Sequence, residues 1–333
     1  MDFKAWFFVL FSTLCWGIAE IFYKKGSLEK EKYSHLKIAI LVGIFMGIYA
    51  TIILFTQGVD LASFPLNFVL YLPVSLAYIV SMVCSYFGVR YIEESISDPI
   101  ENSSAAVVVV LCSVILHETY EIPVYVAAAV IAVGIILLGI FNHKETKTRG
   151  EKIGKKLAIF AIAMPFCYMI LDAVGTFLDI YYVDVEDVAD SVLRGVTEAN
   201  LEHTANCAYE YTFLLVAIGL YIFIRCKGEK LFDLGGAKEV NQDGTVSEKK
   251  WYLKVLDQKW KILAAIFETG GQATYIFALS NGAGIAALIL NAGTVVVSLV
   301  LSRIFLKEKL SWKQYLAILI IMIGILTIGY LDA

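Results

Sequence analysis

The chain has 333 residues, of which 59% are hydrophobic and 17% are charged, and its mean hydropathy is +0.73. Domains that fold in water have a much lower apolar share, so these values exclude a soluble globular protein. The composition and the small formal net charge of −4 predict an integral membrane protein, for which we expect no nucleic-acid partner.

Apolar runs follow one another along the whole chain, and each is long enough to cross a bilayer as a helix. The ten runs lie at residues 5–23, 38–57, 68–89, 97–116, 122–141, 157–181, 208–224, 260–280, 284–303 and 312–331. The fourth run opens with two carboxylates and Pro99, a residue that suits the first turn of a helix. The expected fold is an all-α membrane protein with ten transmembrane helices.

The first run lacks a basic leader and a convincing cleavage site, so we expect it to remain in the protein as helix 1. The six cysteines show no CxxC spacing and are interpreted as packing residues. The four histidines do not have the spacing of metal ligands, and no P-loop or GxGxxG motif is present. We therefore predict no metal, no cofactor and no enzymatic activity.

Basic residues are distributed very unevenly between the two expected membrane faces. If the ten runs alternate in direction, only Lys4 and Arg194 of the 27 basic residues fall on one face. The opposite face should be cytoplasmic by the positive-inside rule, and the bias suits a plasma membrane. Both termini and an acidic insert at about 182–207 then face outward, whereas a polar loop at about 226–256 faces the cytoplasm.

Acidic residues, in contrast, occur inside the apolar runs, where no lysine or arginine lies deep. The six are Glu20, Asp98, Glu101, Asp172, Glu210 and Glu268. Glu210 lies near a helix end and is expected to face water. Glu20, Asp172 and Glu268 lie deeper, and a carboxylate in hydrocarbon is costly enough to predict a functional site or a water-filled cavity.

An internal repeat appears when the chain is shifted by 190 residues, which aligns 87–140 with 277–330 without a gap. Identical residues meet at Phe87 and Phe277, Glu118 and Glu308, Tyr125 and Tyr315, and Gly134 and Gly324. Since each half would hold five helices, an odd number, the second half should insert upside down. The pattern predicts an inverted repeat, with a substrate site near the midplane between the halves.

Several motifs carry a resemblance to a known family. Helix 1 contains Trp16 and Gly17 with Lys24 at its end, and the turns "LHE" and "LKEKLSW" precede the last helix of each half. With the two five-helix repeats, these features resemble the EamA-like branch of the drug/metabolite transporter superfamily. The resemblance implies one repeat at 1–150, a second at 151–333, and a cavity surrounded by helices 1–4 and 6–9 and braced by helices 5 and 10.

Within that arrangement, the two halves carry similar pairs of side chains. Trp16 and Glu20 lie one turn apart in helix 1, and Tyr168 and Asp172 do the same in helix 6, the corresponding helix. The sequence thus predicts an aromatic ring and a carboxylate from each half at the substrate site.

Further polar residues extend this predicted site. Glu268, Gln272 and Tyr275 form a stripe on helix 8, and Tyr78 of helix 3 aligns with Glu268 across the repeat. Glu101 of helix 4 aligns in the same way with Asn291 of helix 9. Trp6, Tyr23 and Trp312, near the ends of runs, are interpreted as anchors at the membrane interface.

Aromatic faces combined with carboxylates favour a cation. We therefore predict a secondary transporter, surrounded by membrane lipid, for a small cationic or zwitterionic metabolite such as an amine, a choline-like compound or an amino acid. The same carboxylates could couple transport to protons. A flippase for a lipid-linked sugar is the alternative, and a membrane enzyme or a receptor is less favoured.

Overall fold

The protein is a multi-pass helical membrane protein, and its computed structural model describes residues 3–29, 31–117, 119–183, 188–232, 238–240, 246–248, 250–280 and 286–331. By length and composition, five of its described helices could cross a membrane, or six if one bent pair forms a single span. Three shorter apolar helices lie at Ile122–Leu138, Gly293–Leu306 and Trp312–Ile328. Each of the ten predicted apolar runs is mainly helical over its described part.

Thirteen α-helices are assigned in the described part of the chain. They are α1 (Phe3–Gly26), α2 (Ser34–Thr56), α3 (Phe64–Leu70), α4 (Leu72–Gly88), α5 (Glu94–Glu101), α6 (Ser104–Leu111), α7 (Ile122–Ile153), α8 (Lys155–Val183), α9 (Leu201–Cys226), α10 (Trp251–Asp257), α11 (Lys259–Ser280), α12 (Ala286–Leu301) and α13 (Trp312–Leu331). A short antiparallel hairpin, β1 (Lys238–Val240) and β2 (Val246–Glu248), is a small exception to the predicted all-α fold.

Two of the predicted runs are interrupted helices. The third run bends by 56° between α3 and α4. Pro73 occupies the first turn of α4 and has no N–H to continue the hydrogen bonds of α3. The fourth run divides into α5 and α6 after Pro99, which lies inside α5. A window average of hydropathy detects neither break, because one window covers both segments of a run.

The helices pack mainly in four pairs: α1 with α11, α4 with α8, α2 with α9, and α7 with α13. Small residues allow close approach, as at Gly43 of α2: a Cβ there would lie 2.5 Å from the carbonyl oxygen of Phe213 in α9. Contacts of this kind are typical of helix packing in membranes. These pairs assemble α1, α4, α8 and α11 around the middle of the molecule.

The same local distortions occur in both halves. A π-helical segment ends α6 at Cys112–Leu116, and another ends α12 at Ser302–Leu306, 190 residues later. Each is followed by a residue in the left-handed conformation, His117 with φ 58° and Lys307 with φ 60°. Such conformations are uncommon outside glycine, so their recurrence at one spacing is a specific likeness between the halves.

Large apolar side chains cover the outside of the bundle, for example Phe55, Val114 and Ile122, which are 69%, 67% and 78% exposed. A surface of this kind fits contact with lipid. Trp312 is also exposed, in keeping with an interfacial anchor. Tyr23 is not: the prediction for this residue is wrong, because its side chain is buried and points into the bundle. The side chain of Trp6 lies outside the described part.

The acidic insert is short and packs on the loops of the first half. Helix α9 begins at Leu201, seven residues before the predicted run. Asn67 and Arg194 exchange two hydrogen bonds: the Asn67 amide donates to the Arg194 carbonyl at 2.8 Å, and the Arg194 N–H donates to the Asn67 side-chain oxygen at 2.7 Å. Residues 184–187 lie outside the described residues.

Candidate functional site

The contact between α1 and α11 forms one wall of the site. Gly271 is needed here, because a Cβ at this position would lie 2.5 Å from Cδ1 of Trp16. The Trp16 ring also lies 5.5 Å from the ring of Tyr275. The Trp16 indole N–H is buried near the Glu268 carboxylate but has no hydrogen-bond partner of normal geometry among the described residues.

Glu268 lies on the same wall and is bonded across the two helices. The hydroxyl of Tyr23 donates a hydrogen bond to its carboxylate. Tyr23 in turn packs against Tyr86 of α4, with ring centroids 4.5 Å apart. Tyr23 lies three residues after Glu20 and seven after Trp16, which places all three on one face of α1. This spacing is the signal that could have assigned Tyr23 to the site.

Helix α5 brings three carboxylates to the bundle interior. Glu94, Asp98 and Glu101 are spaced four and three residues apart and are no more than 2% exposed. Asp98 accepts hydrogen bonds from Ser298 and from Asn102. Among the described residues, neither carboxylate oxygen of the buried Glu94 has a hydrogen-bond partner of normal geometry, although the Glu20 carboxyl group lies beside it. Glu94 is not among the predicted site residues because it precedes the apolar run, although its spacing from Asp98 and Glu101 places the three on a common face.

The N-terminus of α5 is held by the other half of the protein. The Glu308 carboxylate accepts hydrogen bonds from the backbone N–H of Glu94 at 3.1 Å and of Ser95 at 3.0 Å, and from the Ser95 hydroxyl at 2.7 Å. A carboxylate at this position satisfies free N–H groups and interacts favourably with the helix dipole. Glu308 therefore holds the N-terminus of α5, where the acidic face of this helix begins. Glu118, the aligned residue, lies outside the described residues.

The contact between α4 and α8 forms the opposite wall. The Tyr78 hydroxyl donates to the hydroxyl of Thr176 at 3.1 Å, and the Tyr78 ring packs on Gly175. Asp172 lies beside Tyr168 and Ser104. Tyr78 and Asp172 are close enough to interact electrostatically, so both belong to this wall.

Tyr168 lies at the centre of this arrangement. Its side chain is within electrostatic range of four predicted carboxylates: Asp172, Glu101, Glu20 and Glu268. Glu20 in turn interacts with all three carboxylates of α5. The structure therefore brings the acidic residues predicted from both halves into one buried cluster, to which it adds Glu94 and Asp98.

The predicted polar stripe on α11 continues to α9. The Gln272 amide donates to the side-chain oxygen of Asn206 at 2.8 Å. One turn further along α9, Glu210 is 0% exposed, so its predicted position in water is wrong: α9 begins earlier than expected and places this residue inside the bundle. The Asn206 amide faces the Glu210 carboxylate without forming a hydrogen bond of normal geometry.

Basic side chains are buried elsewhere, at one end of the bundle, which corrects the expectation that buried charge is acidic only. Lys37 and Lys261 each place Nζ 2.6 Å from the Glu31 carboxylate. Arg90 donates to backbone carbonyls of the loop between α1 and α2, including those of Glu31 and Lys32 at 2.9 Å. These residues lie at helix ends, where charges can be matched before the helices enter hydrocarbon.

The described hydrogen-bond donors to the acidic cluster are neutral. They include the hydroxyls of Tyr23, Ser97 and Ser298 and the amide of Asn102, and the hydroxyls of Ser104 and Tyr168 lie beside Asp172. Lys24, one turn after Glu20, donates to the carbonyls of Val89 and Ile92. Among the described residues, no three potential ligand side chains are arranged to hold a metal ion.

Of the ten predicted site residues, nine have described side chains, and these nine lie around the same interior. The tenth, Asn291, lies in α12, and its side chain is outside the described part. The aromatic members are Trp16, Tyr78, Tyr168 and Tyr275.

The comparison with known proteins covers most of the chain. The model of the EamA-like transporter family matches residues 3–140 and, a second time, residues 206–330. A search of curated proteins gives no match to this chain.

Proposed function

Because this chain belongs to the EamA-like transporter family, a family of membrane transporters of small compounds, we propose that it carries a small cationic or zwitterionic metabolite by alternating access. The candidate classes are amines, choline-like compounds and amino acids. The site we propose lies between α1, α5, α8 and α11 and contains the cluster around Tyr168.

One observation carries this proposal: several buried polar atoms at the site have no hydrogen-bond partner of normal geometry among the described residues. These atoms are Nε1 of Trp16, Oε2 of Glu20 and both carboxylate oxygens of Glu94. Buried polar groups in folded proteins are nearly always hydrogen-bonded, so orphan atoms that converge on one place call for a ligand or water. Three of the four atoms are carboxylate oxygens, which accept hydrogen bonds and attract positive charge.

The charge of the cluster indicates the class of ligand. Neutral hydroxyls and an amide orient the carboxylates but do not compensate their charge, and several negative charges in a low-dielectric interior repel one another strongly. A bound ammonium group would relieve this repulsion and would also gain about 0.5–2 kcal/mol over an aromatic ring such as that of Trp16 or Tyr275.

Protons can relieve the same repulsion, so we include proton coupling in the proposal. A carboxylate that binds either a proton or the ammonium group of the substrate exchanges one for the other. Glu20 and Asp172 are the proposed exchange residues, because they come from corresponding helices and both approach Tyr168. Transport in one direction would then release protons in the other.

We also propose that ten spans form two inverted repeats in a plasma membrane, with both termini outside. Several features support the duplication: two matches to one family model, π-helical segments 190 residues apart, and reciprocal contacts in which a Cβ on Gly134 would meet Ile321 and one on Gly324 would meet Ile131. The distribution of basic residues supports the orientation.

The first experiment measures thermal stabilisation of the purified chain by cationic, zwitterionic and anionic metabolites and by a lipid-linked sugar. A ligand at about 100 times its dissociation constant adds roughly 2.7 kcal/mol of stability. We expect stabilisation by amines or amino acids, and its loss in Glu20→Gln and Asp172→Asn. Glu198→Gln is the matched control, because it removes the same charge from an exposed position of the insert.

Transport is then measured in proteoliposomes with a pH-sensitive dye inside. Uptake of the stabilising compound should move protons in wild type and in Glu198→Gln but not in Asp172→Asn. Stabilisation only by anions would contradict a cation site. Stabilisation only by the lipid-linked sugar would favour the flippase alternative, and uptake without proton movement would remove proton coupling from the proposal.

A further inference from the structure

A second cavity lies away from the acidic cluster, on the side of α2 and α9 near the basic end of the bundle. Its volume is about 590 Å³, and the chain after α9 and helix α10 close it on one side. Its lining has two parts. Ile40, Ile44 and Ile218 form an apolar groove between α2 and α9, and Arg225, Lys230 and Lys254 line its other end.

The position of the cavity relative to the membrane follows from aromatic residues around it. Trp251 and Tyr252 of α10 are 76% and 47% exposed, and Tyr221 and Phe223 near the end of α9 are also exposed. Exposed tryptophan and tyrosine side chains concentrate at the level of lipid headgroups. The basic end of the cavity therefore lies at the interface, and the apolar groove extends from there along the helices into the hydrocarbon region.

The charge at the interface end is positive. Arg225 and Lys230 are exposed at the mouth of the cavity, and within the described residues no carboxylate forms an ion pair with either of them. Basic pockets between membrane helices on the cytoplasmic side bind the headgroups of anionic lipids. The apolar groove and the cationic mouth match the two ends of such a molecule.

The geometry points to a binding site for one anionic phospholipid of the leaflet on the basic face, separate from the proposed substrate site. The phosphate lies at Arg225 and Lys230, and an acyl chain lies in the groove over Ile40, Ile44 and Ile218. Because the groove is bordered by both α2 and α9, the bound lipid would contact a helix from each half and stabilise their pairing.

The test uses the full chain purified in detergent, with native mass spectrometry at increasing phosphatidylglycerol or phosphatidylcholine. The variant is Arg225→Gln with Lys230→Gln. The matched control is Lys155→Gln with Lys156→Gln, which removes the same charge from exposed positions on the same face. We expect one phosphatidylglycerol to bind wild type and the control, and about 30-fold weaker binding to the variant, which corresponds to about 1 kcal/mol for each basic residue.

Two further measurements distinguish a groove from a charged surface and a lipid from free phosphate. Ile218→Trp fills the apolar part without changing charge and should weaken phosphatidylglycerol binding, while inorganic phosphate should not compete at similar concentrations. Equal binding of both lipids, equal loss in the control, full binding to Ile218→Trp or competition by inorganic phosphate would each overturn the proposal.

Discussion

Glu31 is the residue at which the packing of the basic end can be tested most directly. Its carboxylate is shared by Lys37 and Lys261, and the exposed fractions of the three side chains are 8%, 0% and 2%. Glu31→Gln would leave two buried ammonium groups beside a neutral amide. Removing one partner of a buried ion pair costs about 3–5 kcal/mol. Since Gln258 still accepts a hydrogen bond from Lys261, we expect a loss of about 3 kcal/mol in the free energy of unfolding.

Thermal unfolding of the purified chain measures this loss. For a chain of this size, about 2 °C per kcal/mol predicts a melting temperature lower by roughly 6 °C. Glu29→Gln, an exposed neighbour on the same loop, removes the same charge and should change the melting temperature little. Combining Glu31→Gln with Lys37→Met and Lys261→Met should restore most of the stability, because the two buried ammonium groups that lose their carboxylate are then also removed. Equal melting temperatures for Glu31→Gln and Glu29→Gln would refute the reasoning.

Three further substitutions test the walls of the proposed site. Gly271→Ala places a methyl group 2.5 Å from Trp16, so it should lower both stability and the transport rate, measured by thermal unfolding and proteoliposome uptake. Tyr23→Phe removes the donor to Glu268 and should cost about 1–3 kcal/mol of stability in the same unfolding assay. Glu308→Ala leaves the first turn of α5 uncapped and should cost about 1–2 kcal/mol.

Each of these substitutions has a matched control. Gly219 has no atom within 4 Å of the position of an added Cβ, so Gly219→Ala should not destabilise the protein. Tyr221→Phe and Glu121→Ala alter exposed residues and should have small effects. If any control matched its partner in the loss of stability, the contact assigned to that partner would be contradicted.

Hydropathy predicted the helices well because it is averaged over a window of several helical turns. The same averaging hid the features that distinguish one face of a helix from another. Glu94 was missed because it precedes the apolar run, although it shares a face with Asp98 and Glu101. Tyr23 was placed at the interface because it lies near a run end, and Glu210 was placed in water for the same reason. Proximity to a run end does not specify depth when the helix is longer than the run.

The spacing of residues along single helices predicted more of the candidate site than the composition did. Pairs four residues apart, such as Trp16 with Glu20 and Tyr168 with Asp172, lie on faces that meet in the structure. The burial of Lys261 could not be anticipated in this way, because it is paired with Glu31, which is 230 residues away in the sequence. Long-range ion pairs require the tertiary arrangement, which a pattern within one helix does not contain.

In the proposed duplication, the places where helices contact one another correspond more closely than the side chains found there. Tyr23 of α1 contacts Glu268 of α11, and at the corresponding positions Gly175 of α8 contacts Tyr78 of α4. The two contacts occupy equivalent places in the two halves, yet only one contains a carboxylate.

The same divergence appears on α5. The residues aligned with Glu94, Asp98 and Glu101 in the second half are Gly284, Leu288 and Asn291, so the acidic face exists once. A transporter that alternates by exchanging the conformations of its halves can therefore use a symmetric scaffold while presenting the same single group of carboxylates to both sides of the membrane. This arrangement fits the proposed exchange of a cation for protons, in which one set of acids meets both solutions in turn.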